Sequence, residues 1–159
     1  MTNILCRTKT FDVYKMERPF IDRNEGGHLM IKSRVKVKDR TELTLEQTIE
    51  YALLSEVVGK ALELGLTENG VEIGNLNWQE MGNWGVFNPN GITMHMHVFG
   101  RAKNAKIQKY GEAAKLPFRN TGFYDKFESL YPEDIAIIKN KMREIAAIAK
   151  YNSLEIEFL

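Results

Sequence analysis

The sequence holds a single cysteine, Cys6, so no disulfide can form within the chain, and a reducing compartment is the expectation. Charge of one sign is missing too. Lys and Arg number 22 against 21 Asp and Glu, a formal net charge of +1. That balance gives no electrostatic basis for binding a nucleic acid polymer or a membrane surface, so an anionic ligand has to be held by a local site. Long apolar runs are absent from the first twenty residues, where Arg7, Lys9, Asp12, Lys15 and Glu17 interrupt every candidate. A signal peptide or membrane helix needs such a run, and a cytoplasmic protein is expected. There is no internal repeat and no low-complexity stretch. The 159 residues fit one domain. Histidine is scarce as well: three in the chain, two of them with a single residue between them.

Apolar periodicity supplies the elements. Thr10–Met16 alternates apolar and polar residues as a half-buried strand does, the turn-rich Asp22–Gly27 follows, and a second strand is expected from His28 through Ile31. Thr44 and Gln47 have capping-box spacing ahead of Leu45, Ile49, Leu53, Val57, Ala61 and Leu64, which predicts a long helix with Gly65 as its stop. Val71–Asn75 reads as a third strand, the run to Gly91 as a long loop carrying Trp78, Trp84 and Phe87, and Ile92–Phe99 as a fourth strand. Ala102–Leu130 shows no period. Pro132 opens a second helix with Ile135, Ile138, Met142, Ile145 and Ala149 as its buried stripe, and a short strand is expected over Leu154–Phe158. The sum is an α+β domain spanning residues 1–159, with a mainly antiparallel sheet and two long amphipathic helices.

Thr93-Met94-His95-Met96-His97 carries the chemistry. Side chains alternate faces along a strand, so Ile92, Met94, Met96 and Val98 form an apolar face while Thr93, His95, His97 and Phe99 share the other. Residues two apart stand roughly 6.5–7 Å from one another, at a rise of about 3.3 Å per residue. Two imidazoles at that spacing reach one phosphate-sized group: one attacks phosphorus and the other donates a hydrogen bond. Imidazole, with an ordinary pKa of about 6.5, keeps a neutral nucleophilic nitrogen near pH 7. The phosphoramidate it forms is labile to water, so one hard displacement becomes two easier ones. The turn Asn88-Pro89-Asn90-Gly91 brings amides and N–H groups to the mouth of that face. Three readings stand: a solvated pair with no task, a phosphate site, or a metal site in which His28 is the third ligand. For the metal reading, acids would have to be recruited from elsewhere in the fold.

The run Thr93-Met94-His95-Met96-His97-Val98-Phe99-Gly100-Arg101 resembles the histidine-triad (HIT) family signature of three histidines alternating with apolar residues, followed closely by Gly and Arg. His95 falls on the nucleophile, His97 on the third histidine, and Thr93 replaces the first. Gly27-His28-Leu29-Met30-Ile31-Lys32-Ser33-Arg34 resembles the family's Gly-His strand, and Thr41–Thr44 leads into the long helix. The resemblance covers about residues 11–101; residues 102–159, with their helix near 132–150, form an extension beyond it. It implies a HIT-like α+β fold, a homodimer, a purine nucleotide or nucleoside phosphate derivative as ligand, and no cofactor or metal. The implied reaction cleaves or transfers a nucleoside monophosphate through a covalent nucleotidyl-histidine, acting on a phosphoramidate or a dinucleoside polyphosphate. It also implies site roles for Asn90 in place of a phosphate-binding Ser or Thr, and for Asn88, since Pro89 stands where a Gln is common. Asn75 or Asn77 would lie near the phosphate, Asp22 would hold ribose hydroxyls, and Val35 replaces a further histidine. The loss of polar site residues keeps open a nucleotide-binding protein without turnover.

Overall fold

A computed structural model describes residues 3–159. Six strands, β1 (Ile4–Arg7), β2 (Phe11–Lys15), β3 (His28–Ser33), β4 (Ile73–Gln79), β5 (His95–Ala102) and β6 (Glu157–Phe158), form one sheet in the order β4-β5-β3-β2-β1-β6. Every neighbouring pair is antiparallel. Two helices, α1 (Leu45–Glu68) and α2 (Pro132–Ala146), complete the expected α+β class.

One sheet face is made by Val13, Leu29, Ile31, Met96 and Val98, which line up through the β2–β3 and β3–β5 registers and are all buried. Leu54, Val57, Val58, Ala61, Leu62 and Leu66 of α1 close over it. Each large aliphatic side chain so covered contributes about 1.5–3 kcal/mol. Helix α2 then packs on α1 through Ile138, Met142 and Ile145. The capping box of Thr44 and Gln47 is present as expected, and Pro132 opens α2. No helix is long and apolar enough to cross a membrane among the described residues.

Several expectations shift. The apolar stripe of α1 is rotated, leaving Leu45 76 % and Ile49 50 % exposed. The carboxylate of Glu50 instead takes the Thr10 N–H and the hydroxyls of Thr8 and Thr10, and that polar anchor turns Ile49 outward; Tyr51 is the first residue of α1 to reach the sheet, against Phe11. Gly65 lies inside α1, not at its end. A methyl group there would come 2.7 Å from Ile138 Cγ1, so the glycine is what lets the two helices touch. The turn that ends α1 falls at Gly70, which has φ +89. Strand β1 has no counterpart in the expected elements, and β4 runs on to Gln79. Strand β5 starts at His95 rather than Ile92, because β4 gives out opposite His97; Met94 is held instead by Val37 O and Ser33 N. Helix α2 ends at Ala146, leaving Ala149 exposed, and β6 is only two residues long.

The other sheet face carries the histidines and is covered by irregular chain, residues 105–131. Polar clamps hold that chain down. Glu25, itself buried, accepts backbone N–H bonds from Lys106 (2.8 Å), Ile107 (2.9 Å) and Gln108 (2.7 Å). The fully buried Gln108 amide closes a reciprocal pair with the backbone of Lys115, both bonds 2.8 Å. A second apolar cluster of Phe20, Ile21, Phe99 and Tyr124 fills the space beneath.

Candidate active site

The imidazoles form a row whose hydrogen bonds fix their tautomers. Phe20 N donates to His28 Nδ1 at 3.0 Å, so that nitrogen carries no proton in the neutral ring, and the proton resides on Nε2. His28 Nε2 lies 2.8 Å from His97 Nδ1 and therefore donates to it. His97 in turn carries its own proton on Nε2, as a donor. Independently, His95 Nδ1 lies 2.8 Å from the carbonyl oxygen of Thr93, which only accepts, so His95 Nδ1 is protonated and Nε2 keeps its lone pair. The chain thus sets a nucleophilic nitrogen on His95 next to an N–H donor on His97, the two rings edge to face with centroids 4.9 Å apart.

Electrostatics agree with these assignments. His97 is 4 % exposed, and burial, then the charges of His95 and Arg119, push its pKa down to about 3. Burial holds the wholly enclosed His28 well below the ordinary value, with His97 and Arg119 adding to the effect. Both rings are neutral at pH 7. Cys6, buried in the helix-side core, has its thiol raised to about 12, mainly by burial, and is an inert packing residue.

The turn preceding His28 is set by backbone contact. Gly26, at φ +136, lies so near Gly100 that a Cβ would stand 2.1 Å from Gly100 O. That approach, with Gly100 N bonded to Gly27 O, seats His28 against β5 opposite Phe99.

The other expected site residues are placed unevenly. Thr93 contributes its carbonyl, which any residue supplies. Asn88 and Asn90 are exposed in the turn before β5, where Asn88 Oδ1 accepts Asn90 N at 2.9 Å; neither amide is bonded to an imidazole. Asn77 Oδ1 accepts from Arg101 Nη1 at 2.8 Å, and Asn75 Oδ1 takes the N–H of Leu76. These two pair with Phe99 and Arg101, further along β5 than the histidines. Both carboxylate oxygens of Asp22 are engaged by backbone, Oδ1 with Asn24 N and Oδ2 with Glu128 N, so Asp22 caps a turn and is not free for a sugar. His28 orients His97 and is too buried to meet a ligand directly.

Two neighbours escaped the sequence reading. Gln79 is the ladder partner of His97 and so shares its face; its side-chain oxygen is buried with no hydrogen-bond partner. Lys32 is the partner of His95 on the other flank and sets an exposed cation beside the nucleophile. Strand alternation would have found both had the register been known. Arg101 is neither at the imidazoles nor in an exposed ion pair: it is 6 % exposed and donates to the carbonyls of Gln108, Lys109 and Glu112. Trp84 stacks on Phe118 and meets Phe20 edge-on, whereas Trp78 turns to α1 and donates to Ser55 O. Among the described residues no three His, Cys, Asp or Glu side chains are grouped to hold one metal ion, and both ring nitrogens of His28 are already engaged.

No protein-family model matches the chain, and no curated protein matches its sequence. Solved structures do match. A zinc-bound histidine triad family protein from Mycobacterium smegmatis superimposes with a TM-score of 0.58 at 14 % identity, over 92 % of this chain and 88 % of its own. A hypothetical histidine triad nucleotide-binding protein from Sulfolobus tokodaii gives a TM-score of 0.59 at 12 % identity, covering 94 % and 89 %. A histidine triad protein from Marinobacter aquaeolei gives 0.56 at 17 %, covering 87 % and 84 %. At these identities the likeness is one of architecture, and the chain has a histidine-triad-like fold.

Proposed function

We propose that the protein is a hydrolase or transferase of the histidine-triad kind, cleaving a phosphoramidate or phosphoanhydride bond at a nucleoside monophosphate. The observation that carries this reading is the 2.8 Å bond from His95 Nδ1 to the Thr93 carbonyl, which leaves Nε2 as a free nucleophile. His95 Nε2 attacks phosphorus; the N–P bond forms as the bond to the leaving group breaks, and the leaving group departs with the electron pair. The carbonyl of Thr93 stabilises the cationic ring of the intermediate. The Nε2–H of His97 and the ammonium of Lys32 meet the phosphoryl oxygens. Water then attacks phosphorus, its proton goes to solvent, and the N–P electrons return to His95. Site residues His95 and His97 act directly, and His28 positions His97 through Nδ1. The family resemblance adds a purine nucleotide as ligand and a homodimer as assembly.

Rapid mixing with an AMP derivative that has a slow leaving group, followed by intact-mass analysis, tests the step. A nucleotidyl adduct is expected on the wild-type protein and none on His95→Ala; equal labelling of the two would sink the mechanism. The rival reading, nucleotide binding without turnover, is motivated by Thr93 and Pro89. It predicts calorimetric affinity with no product after long incubation, and hydrolysis that depends on His95 rules it out.

A further inference from the structure

On the sheet face that carries His97, one strand away from it, lies an open cavity of about 350 Å³. Met30, the ladder partner of His97, and Tyr14, the ladder partner of Met30, line it. Arg18, Arg119 and one acid, Glu17, line it too. Arg119 comes from the irregular chain that covers this face. Its guanidinium carbon sits 4.1 Å above the Phe20 ring, and Phe20 meets His97 edge-on, so one aromatic ring separates the cation from the phosphate-facing imidazole.

Among the described residues neither Arg18 nor Arg119 is ion-paired, although ten ion pairs occur elsewhere in the molecule. Arg119 donates from Nη2 to the Arg18 carbonyl at 2.8 Å, and its Nη1 is buried without any partner. Burial and the neighbouring Arg18 charge both work against the Arg119 cation. A guanidinium in that position, with a second arginine on the same cavity and neither of them in an ion pair, is complemented by a dianion such as a phosphate monoester.

We propose that this cavity receives the nucleoside side of the substrate, and that Arg119 with Arg18 selects substrates bearing a second phosphate there, a nucleoside bisphosphate unit rather than a nucleoside monophosphate. This rests on the nucleotide reading of the imidazole site and adds its substrate class. The irregular covering chain then has a task, since it delivers the selecting cation.

Calorimetry with adenosine 5′-monophosphate, adenosine 2′,5′-bisphosphate and adenosine 3′,5′-bisphosphate tests it. One bisphosphate is expected to bind the wild-type protein about tenfold or more tightly than the monophosphate, the equivalent of one charge-assisted hydrogen bond. That ratio collapses toward one in Arg119→Gln, is partly kept in Arg119→Lys, and persists in His95→Ala. Equal binding of all three nucleotides, binding of none, or an unchanged ratio in Arg119→Gln overturns the proposal. The hydrolase reading fails separately: Arg119-dependent bisphosphate binding without turnover defeats that reading and leaves this one intact, whereas His95-dependent turnover with no bisphosphate preference does the reverse.

Discussion

The two faces of the sheet are held by different physics. On one, α1 and α2 lay interlocking aliphatic side chains over Val13, Leu29, Ile31, Met96 and Val98, and stability there is proportional to apolar area removed from water. On the other, residues 105–131 have almost no regular structure; they pack a small aromatic cluster around Phe20, Phe99 and Tyr124 and are fastened by directional bonds involving Glu25, Gln108 and Arg101. The first arrangement supplies rigidity wherever it is built. The second adds it at named atoms, which is what a site needs if it is to keep imidazoles and a cation in fixed orientations while leaving a cavity on the same face.

Single substitutions break that contrast. Leu54→Ala on the helix side removes a wholly buried aliphatic side chain and is expected to cost about 2–5 kcal/mol of global stability, read from the urea midpoint. Glu25→Gln keeps the shape but loses the charge-assisted acceptors of three backbone N–H groups, with an expected cost of about 1–3 kcal/mol. The sharper readout is hydrogen exchange. Glu25→Gln should raise exchange across residues 105–116 and leave β5 and α1 protected, while Leu54→Ala raises it everywhere. Uniform loss of protection in Glu25→Gln would mean that the two faces unfold as one unit and the contrast is only visual.

Acid probes the histidine face alone. His97 and His28 have folded values below the ordinary imidazole pKa of about 6.5, so the unfolded chain takes up protons first as pH falls. Their contribution is complete above pH 6.5 and is lost as pH falls below it, for His97 toward its value of about 3 at up to about 1.4 kcal/mol per pH unit, with His28 adding in the same direction. Between pH 6.5 and 5, before most carboxylates titrate, the wild-type urea midpoint should fall. In a His28→Asn, His97→Asn double variant that slope should flatten; a parallel slope in both proteins would place the acid-sensitive groups elsewhere.

What sequence reading recovered follows the same divide. Period-two alternation put His95 and His97 opposite Met94 and Met96, and the spacing of Thr44 and Gln47 marked the start of α1, because these signals lie within a few residues of each other. Glu25 meets Gln108 and Arg119 meets Phe20 across about half the chain or more, through single side chains without any period, so nothing local announces them. Asp22 was misleading for a related reason: a carboxylate in a turn has the same residue type whether it faces a ligand or caps its own backbone. Asn75 and Asn77 came from the resemblance, which implies an Asn near the phosphate, while the strand was expected to end at Asn75. The actual strand reaches Gln79, four residues further, and that extension decides which amide stands beside His97.

The smallest effect is the most discriminating about how the nucleophile is oriented. At the position where the resemblance expects a first histidine the chain has Thr93, and the atom of Thr93 that touches His95 is its backbone oxygen. Thr93→Ala preserves that carbonyl and removes only the hydroxyl and methyl, so kcat/KM for a nucleoside phosphoramidate should change by no more than about threefold, under about 0.7 kcal/mol of transition-state stabilisation. The same reasoning makes Thr93→His nearly neutral as well, since the restored side chain has no hydrogen bond in the row from Phe20 N to His97 to enter. A tenfold fall in Thr93→Ala would show that the side chain, not the carbonyl, governs the approach of phosphorus to His95, and a tenfold rise in Thr93→His would show that the site is one imidazole short.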